Sequence, residues 1–170
     1  MSQKTHVQHN SGCMEWYTPA SVIEAARCVM GGIDLDPASC DEANATVGAA
    51  RYYTIEDDGL ILPWFGRVWL NPPYRAGLIV HFVNKLVYHY LAGDVTTAIV
   101  LVNNATETGW FQRLAGVAAA VAFPTARVRF WRPDGRHSSP LQGQAICYIG
   151  ENADGFRQEF SRFGWTALKN

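Results

Sequence analysis

The chain has 170 residues, 48% of them hydrophobic, and a formal net charge of −1. That length and apolar content support one domain with a sizeable core, and the near-neutral total excludes a uniformly basic nucleic-acid binder. Charge is uneven along the chain: residues 1–90 hold 6 Lys or Arg against 9 Asp or Glu, and residues 91–170 hold 8 against 6. A local basic cluster therefore matters more than the total.

No apolar run approaches the roughly 20 residues of a membrane-spanning helix. The polar N-terminal stretch has no signal-peptide core, so a cytoplasmic protein without membrane attachment is expected. The four cysteines (Cys13, Cys28, Cys40, Cys147) show no CxxC spacing and read as reduced thiols, with no metal expected. Residues 1–12 read as a flexible leader, and His6 and His9 within it as solvated side chains. Residues 13–170 then form a single domain.

Trp16-Tyr17-Thr18-Pro19 opens the ordered chain. Thr18 suits a helix N-cap and Pro19 the first helical position. Val22, Ile23, Ala26 and Val29-Met30 follow at helical spacing, and Gly31-Gly32 ends the helix. A capped amphipathic helix needs no function. Two aromatics just before its start do suggest a shelf beside a helix terminus that attracts anions.

Ile33 to Ser39 alternates apolar and acidic residues and breaks at Pro37, which predicts a short strand with Asp34 and Asp36 towards its carboxyl end. There is no GxGxxG or GxxxxGK[ST] loop, so no pyrophosphate cradle is expected. Residues 41–49 read as a short helix, residues 51–54 as β-prone, and Glu56-Asp57-Asp58-Gly59-Leu60 as an acidic turn.

Val68-Trp69-Leu70 then runs into Asn71-Pro72-Pro73-Tyr74. Two prolines have no N–H for a ladder, so the strand must stop and a rigid turn must follow. In parallel α/β sheets, ligands sit outside the carboxyl ends of strands. An amide, a prolyl carbonyl and an aromatic ring are thus placed at a ligand's position.

Residues 77–90 carry the clearest amphipathic helical pattern, and Thr97 to Val102 is a continuous apolar run of a central strand. A helix from Glu107 to Leu114 and a strand from Val117 to Phe123 follow. Alternating strands and helices from residue 66 onward predict a three-layer, doubly wound α/β sheet. Arg127, Arg129, Arg132, Arg136 and His137 fall in a stretch with an Asp134-Gly135 turn, returning at Gln144 to Ile149. This predicts a long hairpin over 127–144. Four arginines within ten residues favour phosphate contacts over an ordinary solvated pair. Phe156, Phe160, Phe163 and Trp165 read as a terminal helix.

In this order, Trp-Tyr-Thr-Pro, Asp-Leu-Asp-Pro-Ala, Glu-Asp-Asp-Gly-Leu, Val-Trp-Leu-Asn-Pro-Pro-Tyr and Ser-Pro-Leu-Gln-Gly make the chain resemble the phage-type, Dam-like DNA N6-adenine methyltransferases over roughly residues 14–150. The resemblance implies a Rossmann-like, mostly parallel sheet with an antiparallel last strand. It also implies S-adenosyl-L-methionine as methyl donor, DNA as partner, and a phage or prophage origin in a bacterial cell. It assigns Asn71, Pro72, Pro73 and Tyr74 to catalysis. It assigns Trp16, Tyr17, Thr18, Pro19, Asp36 and Pro37 to the donor, with Asp34 as helper, and Asp58 and Leu60 to the donor's adenine end. Phe130 is the implied apolar wall facing Tyr74.

Two departures from the family stand out. The glycine-rich turn after the first strand is missing, and the short segment 39–67 leaves one strand vestigial. The same Asn-Pro-Pro-Tyr motif serves RNA and protein-glutamine methyltransferases, and a catalytically silent DNA-binding module is a further alternative. A monomer or homodimer is expected.

Overall fold

The computed structural model describes residues 16–74, 77–132, 134–138 and 141–169, so the leader expected over residues 1–12 and Cys13 lie outside the described residues. In chain order the elements are α1 (Ala20–Met30), β1 (Leu35–Asp36), α2 (Asp41–Val47), β2 (Arg51–Tyr52), β3 (Gly66–Leu70), α3 (Leu78–Ala92), β4 (Val95–Asn103), α4 (Gly109–Val117), β5 (Ala120–Pro124), β6 (Phe130–Trp131), β7 (His137–Ser138), β8 (Gln144–Ile149), α5 (Ala153–Phe160) and β9 (Gly164–Leu168).

Ala98 to Val102 of β4 are fully buried, which explains the unbroken apolar run: the strand is central and covered on both faces. The main sheet has the order β2-β1-β3-β4-β8-β5-β9. β2, β1, β3 and β4 pair in parallel, with Leu35 opposite Val68 and Leu70 opposite Val100. β8 runs antiparallel between β4 and β5, placing Gln144 opposite Asn103, and β9 is antiparallel to β5 at the edge.

Side chains alternate along these strands, so the sheet feeds two cores. Trp69, Ile99, Leu101, Ile146 and Tyr148 pack with α1 and α5 on one face. Val68, Leu70, Val100, Val102 and Cys147 pack with α3 and α4 on the other. This is the three-layer, mostly parallel α/β arrangement expected. β2 is only two residues long, in keeping with a vestigial strand. Burial pushes the Cys147 thiol up to about 12, as an inert core cysteine should be.

Two expectations about the C-terminal third need correction. The terminal helix ends at Phe160, and Trp165 belongs to β9, where its ring stacks on Phe123 and the residue is 67% exposed. The helical spacing of Phe156, Phe160 and Phe163 hides a strand that exists because β5 offers it a ladder. The long hairpin is also shorter: β6 and β7 pair only as Phe130 with Ser138 and Trp131 with His137. All six residues from Gln144 to Ile149 are buried in the main sheet, so they could not serve as a solvent-side hairpin arm. Pro133, Ser139 and Pro140 of this stretch lie outside the described residues.

At the amino end of the sheet, Arg67 binds Asp34 through its backbone N–H and two guanidinium nitrogens, at 2.9, 2.9 and 2.6 Å. The Arg67 side chain holds the Asp34 carboxyl below its usual pKa. A depressed carboxylate contributes stability above its unfolded pKa and loses it as pH falls through the folded value. The two side chains are 34% and 31% exposed. Asp34→Asn should therefore cost about 1 kcal/mol near neutral pH. The gap between wild type and variant should shrink as pH falls below about 4, the ordinary carboxylate range. Denaturant titrations across that range check it, and a gap unchanged in acid would contradict it.

Candidate active site

β3 ends at Leu70, and the chain leaves the sheet through Asn71 to Tyr74. Pro72 is buried and Asn71 half-buried. The Tyr74 hydroxyl donates to the Leu101 carbonyl at 3.1 Å and lies 3.3 Å from Asn71 Oδ1. Burial of the hydroxyl raises its pKa, so it stays a neutral phenol. The residue as a whole is 42% exposed: its tip is held inside while the ring opens to solvent. Asn71 Nδ2 donates to Thr18 Oγ1 at 3.5 Å. Both contacts of the Asn71 carboxamide are long, so a better-placed partner would displace them at small cost.

Thr18 does not cap α1. Pro19 occupies that position without a side-chain cap, and the Thr18 hydroxyl turns to Asn71 instead. The preceding residue is fixed across the chain. Tyr17 and Trp131 exchange two backbone hydrogen bonds, at 2.8 and 3.0 Å. Their rings meet edge-on at 5.2 Å, and Trp131 Nε1 donates to the Thr18 carbonyl at 3.2 Å. The Arg132 guanidinium lies 5.3 Å from the Trp16 ring centre.

A cavity of about 30 Å³ opens between this segment and the end of β1. Trp16, Tyr17 and Thr18 form one wall, Asp36, Ala38, Ser39 and Cys40 another, and Trp69 and Asn71 line it from β3. Asp36 is 2% exposed, and its Oδ1 accepts the Ala38 N–H at 3.2 Å, which fixes the turn through Pro37. Ser39 Oγ is the one buried side-chain polar atom without a hydrogen-bond partner among the described residues. Leaving such an atom unpaired costs about 1–3 kcal/mol, and native structures rarely do so without a ligand or water to meet it. A buried carboxylate, two hydroxyls and an aromatic wall suit a ligand carrying an ammonium group and hydroxyls.

The other residues singled out in the sequence divide clearly. Asp34 is not at this site; it sits at the amino end of the sheet, engaged by Arg67. Asp58 is exposed, with φ of 55°, and its carboxylate accepts the Leu60 N–H at 3.0 Å. Its turn packs on the site from outside: a methyl group on Gly59 would collide with the Pro37 carbonyl, and Trp64 Nε1 donates to the Gly59 carbonyl at 2.7 Å. Phe130 is 5% exposed and packs in the core beside α1 and α5. Arg127, Arg129, Arg136 and His137 are exposed; Arg132 is half-buried.

Sequence reasoning missed Ser39, Cys40, Trp69 and Trp131. Ser39 directly follows the Asp-Pro-Ala turn, so its neighbours carried a signal that its own identity did not. Trp131 is placed by pairing with a residue 114 positions away, Tyr17, which no local pattern reports.

The sheet order and the antiparallel strand between β4 and β5 are those of a Rossmann-like methyltransferase fold. A family described as DNA N-6-adenine-methyltransferase (Dam) matches residues 4–160, and the chain belongs to that family. No curated protein sequence matches the chain.

Gly59→Ala tests whether the 58–60 turn braces the site. The added methyl should cost about 1–3 kcal/mol by overpacking against Pro37. Thermal unfolding would register the loss, and an unchanged midpoint would show that the turn does not bear on Pro37.

Proposed function

We propose that the protein transfers a methyl group from S-adenosyl-L-methionine to the N6 amino group of adenine in DNA, with the adenine turned out of the stack onto Asn71 and Tyr74. One observation carries this reading. The Asn71 carboxamide lies between a cavity lined by Thr18, Asp36 and Ser39 and the partly exposed ring of Tyr74. The adenine and the DNA follow the family; the donor and the flipped base are our reading of the site.

The chemistry of the cavity fits the donor. Asp36 would take its ammonium group, Ser39 and Thr18 its polar groups, and Trp16 and Tyr17 would flank it. Asp58 and Leu60, on the turn against Pro37, would meet its adenine end. When bound, S-adenosylmethionine supplies a methyl group activated by the sulfonium.

The protein's task is positioning. The lone pair of an exocyclic adenine nitrogen is conjugated with the ring, so the nitrogen needs acceptors for its N–H bonds more than it needs a strong base. The Asn71 side-chain oxygen and the Pro72 carbonyl are such acceptors, and Pro73 keeps the turn rigid. Tyr74 must leave Asn71 to stack on the base, and its hydroxyl contact of 3.3 Å is weak enough to yield. A base within a duplex is out of reach unless it is flipped. The exposed Arg127, Arg129, Arg136 and His137, with Arg132 beside them, would hold the backbone meanwhile. With only loops to read bases, a short or relaxed recognition site follows. We place the protein in the cytoplasm of a bacterial host, encoded by a phage or prophage.

Digesting DNA to nucleosides after incubation with labelled donor tests the reading. N6-methyladenine should carry the label; label in RNA or protein glutamine, or none at all, would overturn it. Asn71→Ala should bind the donor within a few-fold of wild type yet lose about 100- to 1000-fold in turnover, as other losses of a positioned polar group do. Unimpaired turnover would remove Asn71 from its role. Tyr74→Ala should weaken base binding by about 1–3 kcal/mol while Tyr74→Phe, which keeps the ring, should not. Equal losses in both variants would assign the effect to the hydroxyl.

A further inference from the structure

A cleft of about 530 Å³ lies at the carboxyl edge of the sheet, on the far side of the Tyr17–Trp131 pairing from the small cavity. Its polar rim is Arg127, Arg129, His137 and Arg162, and its apolar floor includes Val22 and Phe163. Among the described residues, no carboxylate lines it. In a protein of net charge −1, three arginines around one cleft make a local concentration of positive charge.

Arg162 was hidden in the sequence. It follows α5 in a segment that reads as the end of a helix, about 30 residues after the other arginines. The turn into β9 brings it back to the same edge, because Gly164 pairs with Pro124 at the end of β5. Its guanidinium lies 5.1 Å from the Phe163 ring centre and reaches the Ser21 carbonyl at 3.5 Å, while its side chain stays 53% exposed. Glu159 forms an ion pair with it at 3.8 Å. The first turn of α1 also faces the cleft through Ser21 and Val22, adding the positive end of its dipole.

The other two arginines of the basic stretch are differently placed. Arg136 and Arg132 lie 3.3 and 4.0 Å from Asp134, and Arg132 also covers Trp16. Their charge is partly neutralised, as is that of Arg162 by Glu159, whereas Arg127 and Arg129 have no ion pair among the described residues.

We infer that this cleft seats the sugar–phosphate backbone of the DNA strand beside the target adenine, with Arg162 acting alongside Arg127 and Arg129. The inference rests on the methyltransferase reading of Asn71. The geometry is suitable: β3 and β5 are three strand positions apart in the sheet, so the cleft lies on the order of 15 Å from Asn71 at the usual strand spacing. The apolar floor accommodates sugar faces, and the rim supplies charge-assisted hydrogen bonds to phosphate oxygens. Phosphate contacts of this kind fix register on the DNA without reading sequence.

The test is the salt dependence of binding to a labelled DNA duplex, measured by fluorescence anisotropy without donor. Each of Arg127→Ala, Arg129→Ala and Arg162→Ala should reduce the slope of log affinity against log salt by about 0.9. At about 0.1 M salt that corresponds to about 8-fold weaker binding. Arg113→Ala, on α4 across the sheet, should leave the slope unchanged. An Arg162→Ala slope equal to that of wild type, in a protein that still produces N6-methyladenine, overturns the cleft assignment alone. A wild type that binds no DNA and methylates none overturns the methyltransferase reading with it. A slope loss seen with RNA but not with DNA replaces DNA as the occupant.

Discussion

Two backbone hydrogen bonds between Tyr17 and Trp131 hold the functional edge of this protein together. They join the segment before α1 to the β6–β7 ribbon across more than a hundred residues. They register Trp16 to Thr18 against the β6–β7 ribbon. With them, Thr18 reaches Asn71, Tyr17 meets Cys40, and Trp131 ties down the Thr18 carbonyl. The same pairing separates the small cavity from the basic cleft.

The sheet supplies the rigid half. β4 is fully buried over five residues, and β3 is locked to it in register, so Leu70 and the turn after it are held firmly. Asn71 can therefore keep its place while its weak contacts to Thr18 and Tyr74 exchange. Precise placement of an acceptor is what methyl transfer to a poorly nucleophilic amino group requires. Tyr74 is placed differently: its hydroxyl is anchored inside while its ring already meets solvent.

Much of this was legible in the sequence, wherever local pattern and tertiary role coincide. The apolar run of β4, the amphipathic pattern of α3 and the Asn-Pro-Pro-Tyr strand end each fixed an element by themselves. So did Asp36-Pro37, whose proline ends β1 where the cavity begins. The failures share a cause, which is that a distant partner decided the outcome. Trp165 became a strand residue because β5 had a free edge. Gln144 to Ile149 entered the main sheet because β4 and β5 both needed a partner between them. Phe130 faces the core because its neighbour Trp131 pairs with Tyr17. Thr18 exchanged its cap for Asn71, and Arg162 joined the basic cluster only through the turn into β9.

The most direct measurement is a crystal structure of the protein with S-adenosylhomocysteine and a DNA duplex. The account predicts an extrahelical adenine with its amino nitrogen within hydrogen-bond distance of the Asn71 side-chain oxygen. Tyr74 should have left Asn71 and lie against the base, and S-adenosylhomocysteine should contact Asp36 and Ser39. An adenine still stacked in the duplex with Tyr74 remaining on Asn71, or the cofactor product bound away from Asp36, would contradict it.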